Sequence, residues 1–183
     1  MIVNLGIIIG KVRVIREKYA ESDPGKLCRD LGIILEYEPM GAAKLACKGF
    51  FFRKLGVSII TVNSELTDAF RRIITAHELG HAVLHAEVNE HGFLDYGYFD
   101  ETDDCEKEAN FFAAELLISD SDILEISEEY PAYSDIAAQL YVPPQLVDLK
   151  LQIMEFKGYD LRAPKETSAN FMRKMEVRYG DDV

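Results

Sequence analysis

Between Leu66 and Glu87 apolar side chains return at Phe70, Ile73, Ile74, Leu79, Val83 and Leu84, the three- and four-residue spacing of a helix with one buried face. The same segment carries His77-Glu78-Leu79-Gly80-His81. Residues four apart share a helix face about 6 Å apart along the axis, so two imidazoles can close on one tetrahedral metal ion, with zinc (Zn2+) the natural choice. The carboxylate of Glu78 then faces the open coordination position and is the candidate general base, taking a proton from the attacking water and passing it to the leaving amine. Four histidines and eighteen glutamates in 183 positions produce this pattern by chance in roughly one such chain in a hundred. Its surroundings therefore decide what it means.

Two histidines do not complete a catalytic zinc site, which usually takes three protein ligands. The longer pattern HExxHxxGxxH is absent, because Leu84 stands at its glycine and Glu87 at its third histidine. A carboxylate from a second helix is the alternative, and the helical segment Asp104–Ile118 offers Glu106, with Asn110 one turn later to hydrogen-bond a ligating histidine. Spacing leaves other readings open. Asp103-x-x-Glu106 is also a capping box, Glu108 lies about 200° around the helix as a competing ligand, and Cys105 adjoins both. His85 falls about 80° around the helix from His77, which suits a partly exposed helix-end histidine, with a contact behind the ligands as the alternative. His91, Tyr96 and Tyr98, in the segment 88–102 read as a loop, are candidate donors to an oxyanion, or else pack over the helix.

Asp23-Pro24 has the form of an N-cap followed by proline at the first helical position, opening a short helix that ends near Gly32. Ile33–Glu38 reads as a strand, and Gly49–Arg53 and Val57–Val62 as a hairpin turning at Lys54-Leu55-Gly56. Asn63, Ser64 or Thr67 can cap the histidine helix. Phe50, Phe51 and Phe52 fit alternating core and surface positions better than a specificity pocket. The strand Ile59–Asn63, if it lies at a sheet edge, can pair with an extended substrate backbone. Ser121–Glu129, Ser134–Tyr141 and Pro144–Phe156 are three further helices, and 161–183 reads as a tail. The last two helices resemble a helix-turn-helix, but only Lys150 is basic there and the turn holds two prolines and no glycine, so packing or partner recognition is expected instead of DNA binding.

The chain carries 20 basic and 32 acidic side chains, a net charge of −12. Residues 1–60 are net +4 and 61–183 net −16, with twelve carboxylates against Lys107 between Asp100 and Glu129. Such a field repels phosphate, and no direct nucleic-acid binding is expected. Cys28, Cys47 and Cys105 are odd in number with no CxxC pair, which suits a reducing cytoplasm. The opening MIVNLGIIIG lacks a preceding basic region and a cleavage site and is too short to cross a bilayer, so no membrane association is expected. Ile7, Val14 and Ile15 have the spacing of an amphipathic first helix.

The segments IITVNSEL, RRIITAHELGHAVLH and EKEANFFAAELL together resemble the ImmA/IrrE family of bacterial and mobile-element metallopeptidases, over about residues 25–120. Family members commonly follow the last segment with Met-Pro, where this chain has Ile118-Ser119-Asp120. The resemblance implies a cytoplasmic zinc endopeptidase that cleaves a helix-turn-helix transcriptional repressor. It assigns His77, His81 and Glu106 as zinc ligands and Glu78 as the base, with Asn110 and His85 as outer contacts. The expected architecture is α+β: a small twisted β-sheet packed against the HExxH helix in a zincin-like domain of residues 1–120, a helical C-terminal extension over 121–160 packed on it, and the tail. The alternative function is a non-proteolytic zinc-containing module that sequesters a repressor or an antitoxin-like partner. The motifs carry no information on which repressor is involved or on oligomeric state.

Overall fold

The computed structural model describes residues 3–43, 45–85, 104–129 and 132–160. The chain divides into two compact units, Met1–Leu117 and Ile118–Val183. In the first unit the elements are α1 (Leu5–Tyr19), α2 (Pro24–Asp30), β1 (Ile34–Glu38), β2 (Gly49–Lys54), β3 (Val57–Asn63), α3 (Asp68–Leu84) and α4 (Asp104–Leu117); in the second they are α5 (Asp120–Glu129), α6 (Tyr133–Leu140) and α7 (Pro144–Phe156). The protein is thus α+β and mostly helical, and no described helix is long and apolar enough to cross a membrane.

Local chemistry starts each element. Asn4 caps α1 by accepting from Ile7 N at 3.2 Å, and Asp23 caps α2 by accepting from Lys26 N at 2.8 Å with Pro24 in the first turn. Helix α1 forms as expected but turns a different face inward. Ile8, Val12 and Ile15 are buried against its neighbours, α4 among them, while Ile7 and Val14 remain 55% and 56% exposed. The run LGIIIG is apolar nearly all round, so periodicity alone does not choose the stripe; packing does.

The described sheet has the order β1-β3-β2, with β1 parallel and β2 antiparallel to β3. The hairpin turns on Leu55 and Gly56, both with positive φ (51° and 80°), the pair of left-handed residues that matches the twist of a tight antiparallel ribbon. The expectation that β3 is an edge strand fails. It lies between β1 and β2, and Ile60, Thr61, Val62 and Asn63 are all buried, the pattern of a strand covered on both sides. Beside α3, the outer strand of the described sheet is β2. Asn63 N–H donates to Lys48 O at 2.9 Å, and the two-residue alternation of the ladder then turns the peptide groups of Gly49, Phe51 and Arg53 away from β3. Phe51 is buried on the face with Ile60, and Phe50 and Phe52 are half-buried on the other.

Helix α3 packs on β2, β3 and α4. Of the three residues available to cap it, Thr67 does so, accepting from Phe70 N at 3.4 Å, because Asn63 spends its side chain elsewhere.

In the second unit Ile123, Ile136, Leu146, Val147, Ile153 and Met154 are buried. Lys150, the one cation expected on the helix-turn-helix-like segment, is fully buried, with Nζ 2.5 Å from Asp120 Oδ1, and Lys157 Nζ reaches the same carboxylate at 2.9 and 3.0 Å. Asp120, half-buried, is therefore paired within the unit by two ammonium groups. Burial pushes its pKa up, but the two ammonium groups more than offset that and keep it ionised.

Candidate metal centre

His77 and His81 stand one turn apart on α3, and Glu106 and Asn110 one turn apart on α4. The two helices meet closely at a small residue. A Cβ on Gly80 would lie 3.1 Å from Ala109 Cα and 3.2 Å from both Ala109 O and Phe112 Cβ, tighter than ordinary packing allows. Gly80 and Ala109, which sequence reasoning passed over, thus let α4 approach near enough for Glu106 to reach the histidines. A glycine inside a helical pattern was the available signal.

Glu106 Oε2 lies 3.3 Å from His77 Nε2, Glu106 Oε1 lies 3.2 Å from His81 Nε2, and the two Nε2 atoms are 3.0 Å apart. A tetrahedral ion with bonds of about 2.0 Å has donor–donor edges of about 3.3 Å, and the two imidazole nitrogens with one carboxylate oxygen of Glu106 can supply three such corners. Among the described residues, His77, His81 and Glu106 are the group of histidine, cysteine and carboxylate side chains able to surround a metal ion. His77 Nδ1–H donates to Asn110 Oδ1 at 3.0 Å, which leaves the Nε2 lone pair turned toward the other two donors.

Protonation suits a cation. Burial lowers the pKa of His77 to about 4, so its imidazole is neutral near pH 7. For Glu106, burial raises the pKa, but hydrogen bonds and charge interactions with His77 and His81 overcome it and hold the carboxyl well below the usual carboxylate range. Neutral imidazole and ionised carboxylate are the states that bind a metal.

Glu78 is buried, and its carboxylate lies over the start of β2: a Cβ on Gly49 would stand 3.4 Å from Glu78 Oε1, 3.1 Å from Thr61 O and 2.6 Å from Ile74 Cγ2. Only glycine lets the strand come this close. His85, expected to be partly exposed, is 7% exposed at the C-cap of α3. Its ring centroid is 5.6 Å from that of His81, and its Nε2 is 3.7 Å from Glu108 Oε2. Glu108 also accepts from Asn4 N at 3.3 Å. Glu106 and Glu108 on α4 therefore face different partners, Glu106 the His77–His81 pair and Glu108 the end of α3. Cys105 stands outside the donor group. His91, Tyr96, Tyr98 and Asp103 lie outside the described residues.

Comparison with known proteins gives two matches. The family model of the IrrE N-terminal-like domain, a peptidase family, matches residues 28–152, which takes in α5, α6 and most of α7 as well as His77, His81 and Glu106. The chain is also 32% identical over 158 residues to immunity region protein 2 of Bacillus phage phi105, covering 84% of this chain and 94% of that one.

Proposed function

The chain belongs to the IrrE N-terminal-like peptidase family, and from that premise we propose that it is a zinc-dependent endopeptidase in which His77, His81 and Glu106 hold the metal and Glu78 is the catalytic base. The observation that carries this reading is the convergence of three side chains, the two imidazole Nε2 atoms 3.0 Å apart with Glu106 Oε1 3.2 Å from His81 and Oε2 3.3 Å from His77, beside a buried carboxylate one residue from His77 on the same helix. Zinc, when bound there, supplies the Lewis acidity that polarises a peptide carbonyl and acidifies water.

The protein's own groups do the rest. Asn110 fixes the His77 tautomer, and the carboxylate of Glu78 accepts the proton of the attacking water and returns it to the departing amide nitrogen. An extended substrate backbone would add as a strand along β2, an outer strand of the described sheet, and Gly49 puts that strand against Glu78.

The proposed substrate is a helix-turn-helix transcriptional repressor in the cytoplasm. The phage relative is named for an immunity region, and the exposed carboxylates Asp122, Glu128 and Glu129 suit a basic, DNA-binding face. Direct DNA binding by α6 and α7 is disfavoured by the burial of Lys150.

The test pairs metal analysis with incubation against the repressor encoded in the same genetic region. Wild type should hold close to one zinc per chain and cleave the repressor at a defined bond, and Glu78→Gln should hold the zinc and leave the repressor intact. If the two proteins bind the repressor but neither cleaves it faster than the other, the peptidase reading is replaced by the sequestering module.

A further inference from the structure

The segment VNSEL, which ends β3 and leads to α3, holds a polar side chain with every hydrogen-bonding position filled. Asn63 is fully buried. Its Nδ2 donates to Gly41 O at 2.9 Å and to Cys47 O at 3.0 Å, and its Oδ1 accepts from Met40 N at 3.2 Å and Glu65 N at 3.0 Å. Two donors and two acceptor sites are all a carboxamide has, so each is used. Glu65, two residues on, adds a carboxylate oxygen that accepts from Gly41 N. The connection from β1 to β2 is thereby tied near both its ends to one point at the end of β3.

The far end of that connection is Cys47-Lys48-Gly49, which runs into β2 where it abuts Glu78. The ladder sets the register of β2 from Gly49 opposite Val62, and the bond from Asn63 N to Lys48 O extends it by one pair, Lys48 with Asn63. The bond from Asn63 Nδ2 to Cys47 O holds the chain one residue before that pair. We propose that Asn63 and Glu65 are positioning residues: they fix the edge at Gly49 at the distance from Glu78 that a bound polypeptide backbone requires. This rests on the endopeptidase reading, in which that edge receives the substrate.

The variants are Glu65→Ala, Glu65→Gln and Asn63→Ala, each assayed on the repressor for kcat and KM and also for zinc content, pH profile and amide hydrogen exchange. Glu65 is exposed, so its variants should fold even if Asn63→Ala does not. Neither residue touches the donor group, so zinc content and pH profile should match wild type. For Glu65→Ala, loss of one hydrogen bond behind a binding edge should raise KM roughly three- to tenfold with kcat within about twofold. Exchange at Met40 and Gly41 should quicken, and Glu65→Gln, which keeps an acceptor for Gly41 N, should behave as wild type. Quickened exchange with unchanged KM overturns the proposal and leaves the knot a purely structural device. So does a fall in kcat that tracks loss of zinc. If wild type cleaves nothing, the peptidase reading fails separately, and repressor affinity measured on the Glu78→Gln background decides the positioning role: an affinity unaltered by Glu65→Ala ends it.

Discussion

Replacing Gly49 by alanine probes the closest approach in the site, that of strand β2 to helix α3. The added Cβ would meet Ile74 Cγ2 at 2.6 Å, against about 3.5–4.0 Å for carbons in contact, so something must move by about 1 Å. Ile74 has no free space to retreat into, being fully buried on α3, and Thr61 O at 3.1 Å closes the other side. The strand start is what yields. Overpacking of this kind costs about 1–3 kcal/mol, which for a chain of this size lowers Tm by roughly 3–10 °C. A displacement of about 1 Å at a reacting geometry costs on the order of a hundredfold in rate. Zinc content should be unchanged, because the proposed ligands sit on α3 and α4. Thermal melts, metal analysis and kcat/KM on the repressor measure the three effects. In a double-mutant cycle the alanine penalty should shrink on an Ile74→Ala background, since the two side chains share the same space. A Gly49→Ala protein as stable and as active as wild type would refute the close approach and, with it, the placing of the substrate edge.

Glu106→Ala should lower zinc affinity by at least about a hundredfold, since two imidazoles alone make a poor site; full metal retention in a chelator competition moves the third ligand elsewhere. The metal-free protein should lose stability on acidification. His77 has a folded-state pKa of about 4, below the ~6.5 of an exposed imidazole, so the unfolded chain binds more protons in that interval and stability falls by up to ~3 kcal/mol as pH drops from about 6.5 to 4. The depressed carboxyl of Glu106 acts with the same sign, its contribution being present above the unfolded carboxylate pKa and lost as pH falls. Denaturant titrations of chelator-treated protein at three pH values measure this, and a flat profile contradicts it. Asp120→Asn should destabilise the protein by about 3 kcal/mol, because it takes an anion from the fully buried Lys150. Lys150→Met should cost less, and the reverse order in thermal melts would show that the pair is not a buried charge in need of its partner.

Sequence alone determined what is set within a few neighbouring residues. Asn4, Asp23 and Thr67 cap helices by accepting from backbone donors three positions on, Leu55-Gly56 closes its hairpin, and the spacing of His77 and His81 places two imidazoles on one helix face. These depend on short-range hydrogen bonding and on the helical period, both of which the order of residues expresses directly. Tertiary packing decided the rest. The choice of Glu106 over Glu108 as the carboxylate facing His77 and His81 follows from how closely α4 crosses α3 at Gly80 and Ala109, a distance that spacing along either helix does not contain. The same holds for the central place of β3, which leaves β1 and β2 on the outside of the described sheet, for the inward face of α1, for the burial of His85 and for the pairing of Asp120 with Lys150. Each depends on which surface a distant segment presents, and side chains with the same local pattern can pack in more than one way until that segment arrives.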